Sequence, residues 1–186
     1  MTDLLRRALD APGFAPLPPR ARTLLESLGA PSRLGAHLRM VHDVAVTLTS
    51  WARPRVDFDV TAVLFGAATH DIGKIRHPAE LSGPGSLHEA AGCALLLEQG
   101  VEEASARFAR THGSWDAPDV TLEDLFVSLA DKVWKGKRIP ELEQRVVSWL
   151  GGPPWETFLA LDDELERIAG GADARLAFQV SYPTTG

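Results

Sequence analysis

The sequence predicts an all-α, single-domain helical bundle, and three observations carry that prediction. Apolar residues recur every three or four positions along most of the 186-residue chain. Helix-boundary residues bracket these segments, with Ser, Thr or Asp in front and Gly or Pro behind. The strict alternation that marks a half-buried strand is nowhere sustained.

The elements follow in chain order. MTDLLRRALD is a short amphipathic helix, separated from the rest by the Pro-rich APGFAPLPPR at 11–20. Ser32 is placed to cap a long helix running to about Trp51, which Pro54 stops. Asp59 can cap an apolar helix ending near Asp71, with Gly73 in a C′-like position. Ser86 and Glu89 have capping-box spacing for a helix reaching about Gly100. A further helix spans about Glu102 to His112 and ends at Gly113. Thr121 and Asp124 repeat the box in a weaker form before a helix through about Trp134. Two last helices fit 140–150 and 154–169, divided by GGPP at 151–154. Neither Pro-rich break is long enough to divide domains, so 1–186 is read as one unit. Residues of about 30–140 form its core, and 1–29 and 140–186 are flanking helices.

Composition narrows the class. Apolar residues make up 45% and charged residues 24%, ordinary for a globular protein of this size. The formal net charge of −6 disfavours nucleic acid as a partner. It leaves room for a small anion, because local cations can outweigh the global sign. No run approaches the roughly 18 apolar residues of a membrane span. Cys93 is the single cysteine, which excludes an intrachain disulfide framework and a Cys-rich zinc module. No apolar signal-peptide core is present, so a cytoplasmic location is expected.

The chemistry lies in polar residues on apolar faces. By helical period, His37 shares a face with Val41, Val44 and Leu48. His70 and Asp71 continue the stripe of Val63 and Ala67, and His88 aligns with Ala91, Gly92 and Leu95. His112 extends Ala104 and Phe108, while Asp131 aligns with Val127 and Trp134. Any one of these histidines alone is most simply a core histidine bonded to a backbone carbonyl. Yet an unpaired buried charge costs several kcal/mol, against about 5–15 kcal/mol of net stability for a whole domain. Six such groups on five helices need a common neutraliser, and one or two divalent cations provide it. Mixed imidazole and carboxylate donors suit Fe, Mn, Co, Ni or Zn better than Mg alone. His42 points about 140° away from His37 and is read as structural or exposed. His77, in a loop before Pro78, is a weaker candidate for contacting substrate.

The segments HLRMV at His37, HDIGK at His70, LHEAAG at His88, RTHGSW at His112 and LADKVWKGKR at Asp131 together resemble the HD-domain superfamily of metal-dependent phosphohydrolases. HDIGK is the most specific part. His88 and His112 make the chain similar to members with two metals, above all the YqeK-like group that hydrolyses dinucleoside polyphosphates. Lys137 stands about where that group tends to have arginine. The loop KIRHPAELSGPG also resembles that of HD-GYP phosphodiesterases, but their His-His-Glu and Gly-Tyr-Pro signatures are missing and that activity is rejected.

The resemblance implies that His37, His70, Asp71 and Asp131 hold a first metal, with Asp71 bridging to a second held by His88 and His112. Hydrolysis of a phosphoester or phosphoanhydride by a metal-bound hydroxide is then expected, on a nucleotide or related small phosphorylated metabolite. Lys74 is the candidate for stabilising phosphoryl charge. Lys135, Lys137 and Arg138, in a basic run with Lys132, are candidates for a distal phosphate, and Trp115 or Trp134 for stacking a base. Each has a plainer role as a solvated or packing residue. Two further classes stay open: a di-iron oxygenase with the same donor pattern, and a metal-binding regulatory module without hydrolase activity.

Overall fold

A computed structural model of the chain describes residues 3–184. It is all-helical, with no strand among the described residues. The helices are α1 (Asp3–Leu9), α2 (Pro19–Ser27), α3 (Ser32–Ala52), α4 (Val60–Thr69), α5 (Leu87–Glu98), α6 (Glu103–Ala106), α7 (Phe108–Thr111), α8 (Leu122–Val133), α9 (Pro140–Trp149), α10 (Pro154–Ala169) and α11 (Ala172–Val180). Two 3₁₀ turns, Ile72–Ile75 and Pro78–Leu81, link α4 to α5.

The 21-residue α3 is the axis of the bundle. It packs against α1, α4, α8, α10 and α11, so it is buried on nearly every side. Its buried residues include polar ones, among them His37, Arg39, His42 and Thr49. Two apolar clusters meet along it. Met40, Val44 and Leu48 join Val63 of α4 with Phe126 and Leu129 of α8. Leu34 and Leu38 join Leu5 and Leu9 of α1 with Phe65, Ile72 and Leu96. Fully burying one such side chain contributes about 1.5–3 kcal/mol. His37 lies in sequence between Leu34 and Met40, at the seam of the two clusters.

Several boundaries differ from expectation, each for a local reason. Pro31, not Ser32, is the N-cap of α3, and the Ser32 hydroxyl donates to the carbonyl of Pro183. Asp59 does cap α4, accepting from the Ala62 N–H at 2.9 Å. That helix stops at Thr69, with His70 as its C-cap. Gly73 is not a left-handed C′ residue; it lies in the first 3₁₀ turn. A Cβ there would run into the His88 carbonyl and the Gly92 N–H, so glycine lets this turn lie directly on α5. The Ser86 side chain caps nothing. Glu80 reaches in from the second 3₁₀ turn instead and accepts from the N–H groups of Leu87 and His88, each at 3.1 Å.

The single helix expected over 102–112 is split into α6 and α7 around Arg107. The Arg107 guanidinium donates to Asp124 and Thr121, and the Thr111 hydroxyl donates to Asp124 at 2.7 Å. The Thr121–Asp124 capping box is formed, so Asp124 starts α8 and ties α7 to it. Helices α2 and α11 lie within the flanking segments 1–29 and 140–186, where no separate boundary marks them. Pro19 opens α2 at a first-turn position that suits proline.

Candidate metal centre

Five elements converge where α3, α4, α5, α7 and α8 meet. His37 projects from the middle of α3, and His70 and Asp71 from the end of α4. His88 lies in the first turn of α5, His112 closes α7, and Asp131 sits in the last turn of α8. All six side chains are buried. Potential donor atoms of His37, His70 and Asp131 lie within 4.8 Å of one another, as do those of His70, Asp71 and His112.

Asp71 divides the cluster in two. Its Oδ2 is 3.0 Å from His37 Nε2, and its Oδ1 is 3.0 Å from His88 Nε2 and 3.4 Å from His112 Nε2. Asp131 Oδ1 stands 3.5 Å from His70 Nε2 and 3.8 Å from His37 Nε2. One carboxylate oxygen thus faces the side held by His37, His70 and Asp131, and the other faces His88 and His112.

Backbone and carboxylate acceptors orient three of the four imidazoles. His70 Nδ1 donates to the Ala67 carbonyl at 3.0 Å, and His112 Nδ1 donates to the Ala109 carbonyl at 3.1 Å. His88 Nδ1 donates to Glu80 Oε2 at 2.5 Å. A carbonyl or ionised carboxylate can only accept, so the proton belongs on each Nδ1 and the Nε2 lone pair turns inward. This arrangement is the usual support for a metal-bound histidine. His88 Nε2 is buried and, despite its closeness to Asp71, makes no well-aligned hydrogen bond. A buried lone pair without a donor is costly, and a divalent cation removes that cost. The donors therefore fit such a cation.

The electrostatics keep both aspartates ionised. Burial works to raise the pKa of Asp71, but His70 and then His112, His37 and His88 outweigh it and hold the carboxyl well below the usual carboxylate range. Asp131 behaves likewise: burial opposes ionisation, and His70 and Lys132 overcome it. Burial depresses the basicity of His88, yet Asp71 and Glu80 more than reverse the effect. Both aspartates also carry a lysine. The 3₁₀ turn after Asp71 puts the residue three positions on over the same face, so Lys74 Nζ lies 2.5 Å from Asp71 Oδ2. Lys132 Nζ lies 2.6 Å from Asp131 Oδ2.

A cavity of about 240 Å³ opens beside the cluster. His37, Lys74, Trp134 and Lys135 line one part of it, and Leu176 and Gln179 of α11 line another. The Trp134 ring stands edge-on to His37 at 5.0 Å between centroids, and Lys135 Nζ is 6.0 Å from the indole.

The other candidates lie elsewhere. Arg138 donates to both oxygens of Glu143, at 2.8 and 2.7 Å, and to Asp162 at 2.6 Å. That guanidinium joins α9 to α10 and already meets two carboxylates. Lys137 is exposed and lines no part of the cavity. His77 joins none of the donor groupings and sets the start of the second 3₁₀ turn. Trp115 packs against the core beside α8. His42 is fully buried, and its Nδ1 has no hydrogen-bond partner. Glu80 and the α11 residues were not legible in the sequence, because they arrive through a loop and a helix outside the apolar-face pattern.

A family model described as HD domain matches residues 34–134, more than half of the chain. Comparison with curated proteins and with solved structures gives no match. The matched segment carries all six clustered side chains, from His37 to Asp131, and the fold around them is wholly helical. The chain belongs to the HD-domain family, whose members are in general metal-dependent hydrolases.

Proposed function

We propose that this protein is a metal-dependent phosphohydrolase. It would cleave a phosphoester or phosphoanhydride bond of a nucleotide or related small phosphorylated metabolite, using two divalent transition-metal cations. The position of Asp71 carries the reading: one oxygen faces His37 and the other faces His88 and His112. A pair of divalent cations supplies Lewis acidity and activates water near neutral pH.

The remaining work falls to the chain's own side chains. His37, His70, Asp131 and Asp71 form one donor set, and His88, His112 and Asp71 form the other. Lys74 brings a compact positive charge to Asp71 Oδ2, where it can shift onto phosphoryl oxygens as negative charge develops. Lys135, exposed at the cavity and near Trp134, draws an anion towards that wall. Trp134, only 3% exposed, is an apolar packing wall of the cavity and not an open stacking face. A space of about 240 Å³ has room for one part of such a ligand, with the remainder outside it, and the net charge of −6 argues against long nucleic acid. Dinucleoside polyphosphate hydrolysis, as in the YqeK-like group, is the narrower form of the proposal. It rests on the HLRMV segment and on the basic residues after Asp131, of which Lys135 is the one placed at the cavity. Cys93 is free and buried, in keeping with a cytoplasmic setting. No helix among the described residues is long and apolar enough to cross a membrane.

Elemental analysis of the purified protein, followed by a screen of phosphorylated metabolites with phosphate release and oxygen uptake measured together, tests the proposal. Metal-dependent phosphate release supports it. Oxygen uptake without hydrolysis would replace it with a di-iron oxygenase, and metal with neither activity would leave a binding module.

A further inference from the structure

Glu89 stands beside the six clustered donors, next in sequence to His88. Its spacing after Ser86 fits a capping box, yet the Ser86 side chain forms no cap, and Glu80 accepts the N–H groups of Leu87 and His88 instead. The Glu89 carboxylate is thereby left without a hydrogen bond or ion pair among the described residues. It is only half-buried, but it has turned towards α7. Its donor atoms lie within 4.8 Å of those of His88 and His112, a third grouping able to hold a metal ion.

Gly113 supplies an independent observation. A Cβ at that position would stand 2.5 Å from Glu89 Oε1 and 3.0 Å from its carboxyl carbon. Contacts that short essentially do not occur, so any larger residue would push the carboxylate away from His112. Gly113 has no positive φ, and backbone conformation therefore does not call for glycine there. The glycine acts as a cradle for the Glu89 carboxylate, directly after the histidine that shares its grouping.

We propose that Glu89 is an additional protein ligand of the second cation, seated by Gly113 beside His88 and His112. The inference rests on the two-cation reading of the cluster. With Asp71 Oδ1 it gives that position two imidazole nitrogens and two carboxylate groups, a mixed set suited to Mn, Fe, Co or Zn. The two positions would then be matched, since His37, His70, Asp71 and Asp131 also supply two imidazoles and two carboxylates. A second anionic ligand strengthens the hold on a divalent cation that His88, His112 and a shared aspartate alone would bind less tightly.

The test strips the full-length protein of metal and titrates it with Co²⁺, following stoichiometry by calorimetry and ligand geometry by the visible d–d bands. Wild type, Glu89→Gln and Gly113→Ala are compared, with circular dichroism to confirm folding. The expected result is two Co²⁺ per wild-type chain. In both variants the second binding event should weaken by roughly 10–100-fold and change spectrum, while the first is unaltered. Unchanged second-site affinity in Glu89→Gln overturns the assignment of Glu89 while leaving the two-cation reading intact. Weakening in Gly113→Ala alone also overturns it, since the glycine would then act through His112. If the wild type takes up only one Co²⁺, the two-cation reading itself fails and this inference goes with it.

Discussion

Asp71 stands between His37 and His88, with Oδ2 3.0 Å from Nε2 of the first and Oδ1 3.0 Å from Nε2 of the second. No other side chain in the cluster presents its two oxygens to two different helices in this way. The position follows from α4 ending at Thr69: His70 completes the helix as its C-cap, and Asp71, the next residue, is free to turn inwards.

His88→Ala and His112→Ala should each empty the position on the Oδ1 side and leave the other occupied. Elemental analysis should then read one metal per chain where the wild type reads two. A variant that keeps two metals at wild-type affinity contradicts the division of the cluster by Asp71.

Glu80→Ala separates orientation from ligation. Glu80 accepts from His88 Nδ1. With that acceptor removed nothing holds the proton on Nδ1, and the imidazole can carry it on Nε2, where it blocks a metal. Second-cation affinity should fall by roughly 10–100-fold, and the first should hold. Nitrogen chemical shifts of His88 report the tautomer directly, and an unchanged tautomer refutes the mechanism.

Lys74→Ala should lower kcat by roughly 10–1000-fold, the range for losing one contact to developing charge. Metal content should not fall, because Lys74 competes with a cation for Asp71 Oδ2 and does not support it. Lys74→Arg should recover little, since a planar fork does not replace a compact ammonium. A change confined to KM would make Lys74 a binding residue only.

How much of this was legible in the sequence depended on periodicity. His37, His70, Asp71, His88, His112 and Asp131 stood out because each falls where the helical repeat demands an apolar residue. Asp59 and Thr121–Asp124 were legible for the same local reason, as caps at the right spacing. Glu80 was not, because a 3₁₀ turn carries no such repeat and its target lies eight positions on, across a loop. Arg138 looked like part of a basic run, and only the packing of α9 on α10 brings Glu143 and Asp162 to it. Gln179 reaches the cavity from a helix whose sequence, ADARLAFQV, gives little sign of what it packs on.

His42 provides a pH-dependent prediction away from the cluster. Burial, with Arg39 nearby, depresses its pKa from the usual 6.5 to about 4. Between those values the unfolded chain binds the proton more readily than the native one, so stability is full above about pH 6.5 and falls as the pH drops. The loss from pH 7 to pH 5 attributable to His42 is about 2 kcal/mol. Urea unfolding of the metal-free wild type and of His42→Gln at both pH values checks it. The variant should show a shallower pH dependence by about that amount, and identical slopes would contradict the assignment.

The central claim is that one carboxylate serves two cations, and the metal content of Asp71→Ala tests it most directly. The variant should purify folded with neither metal, whereas His88→Ala keeps one. Two metals per chain in Asp71→Ala, bound as tightly as in the wild type, would contradict the account.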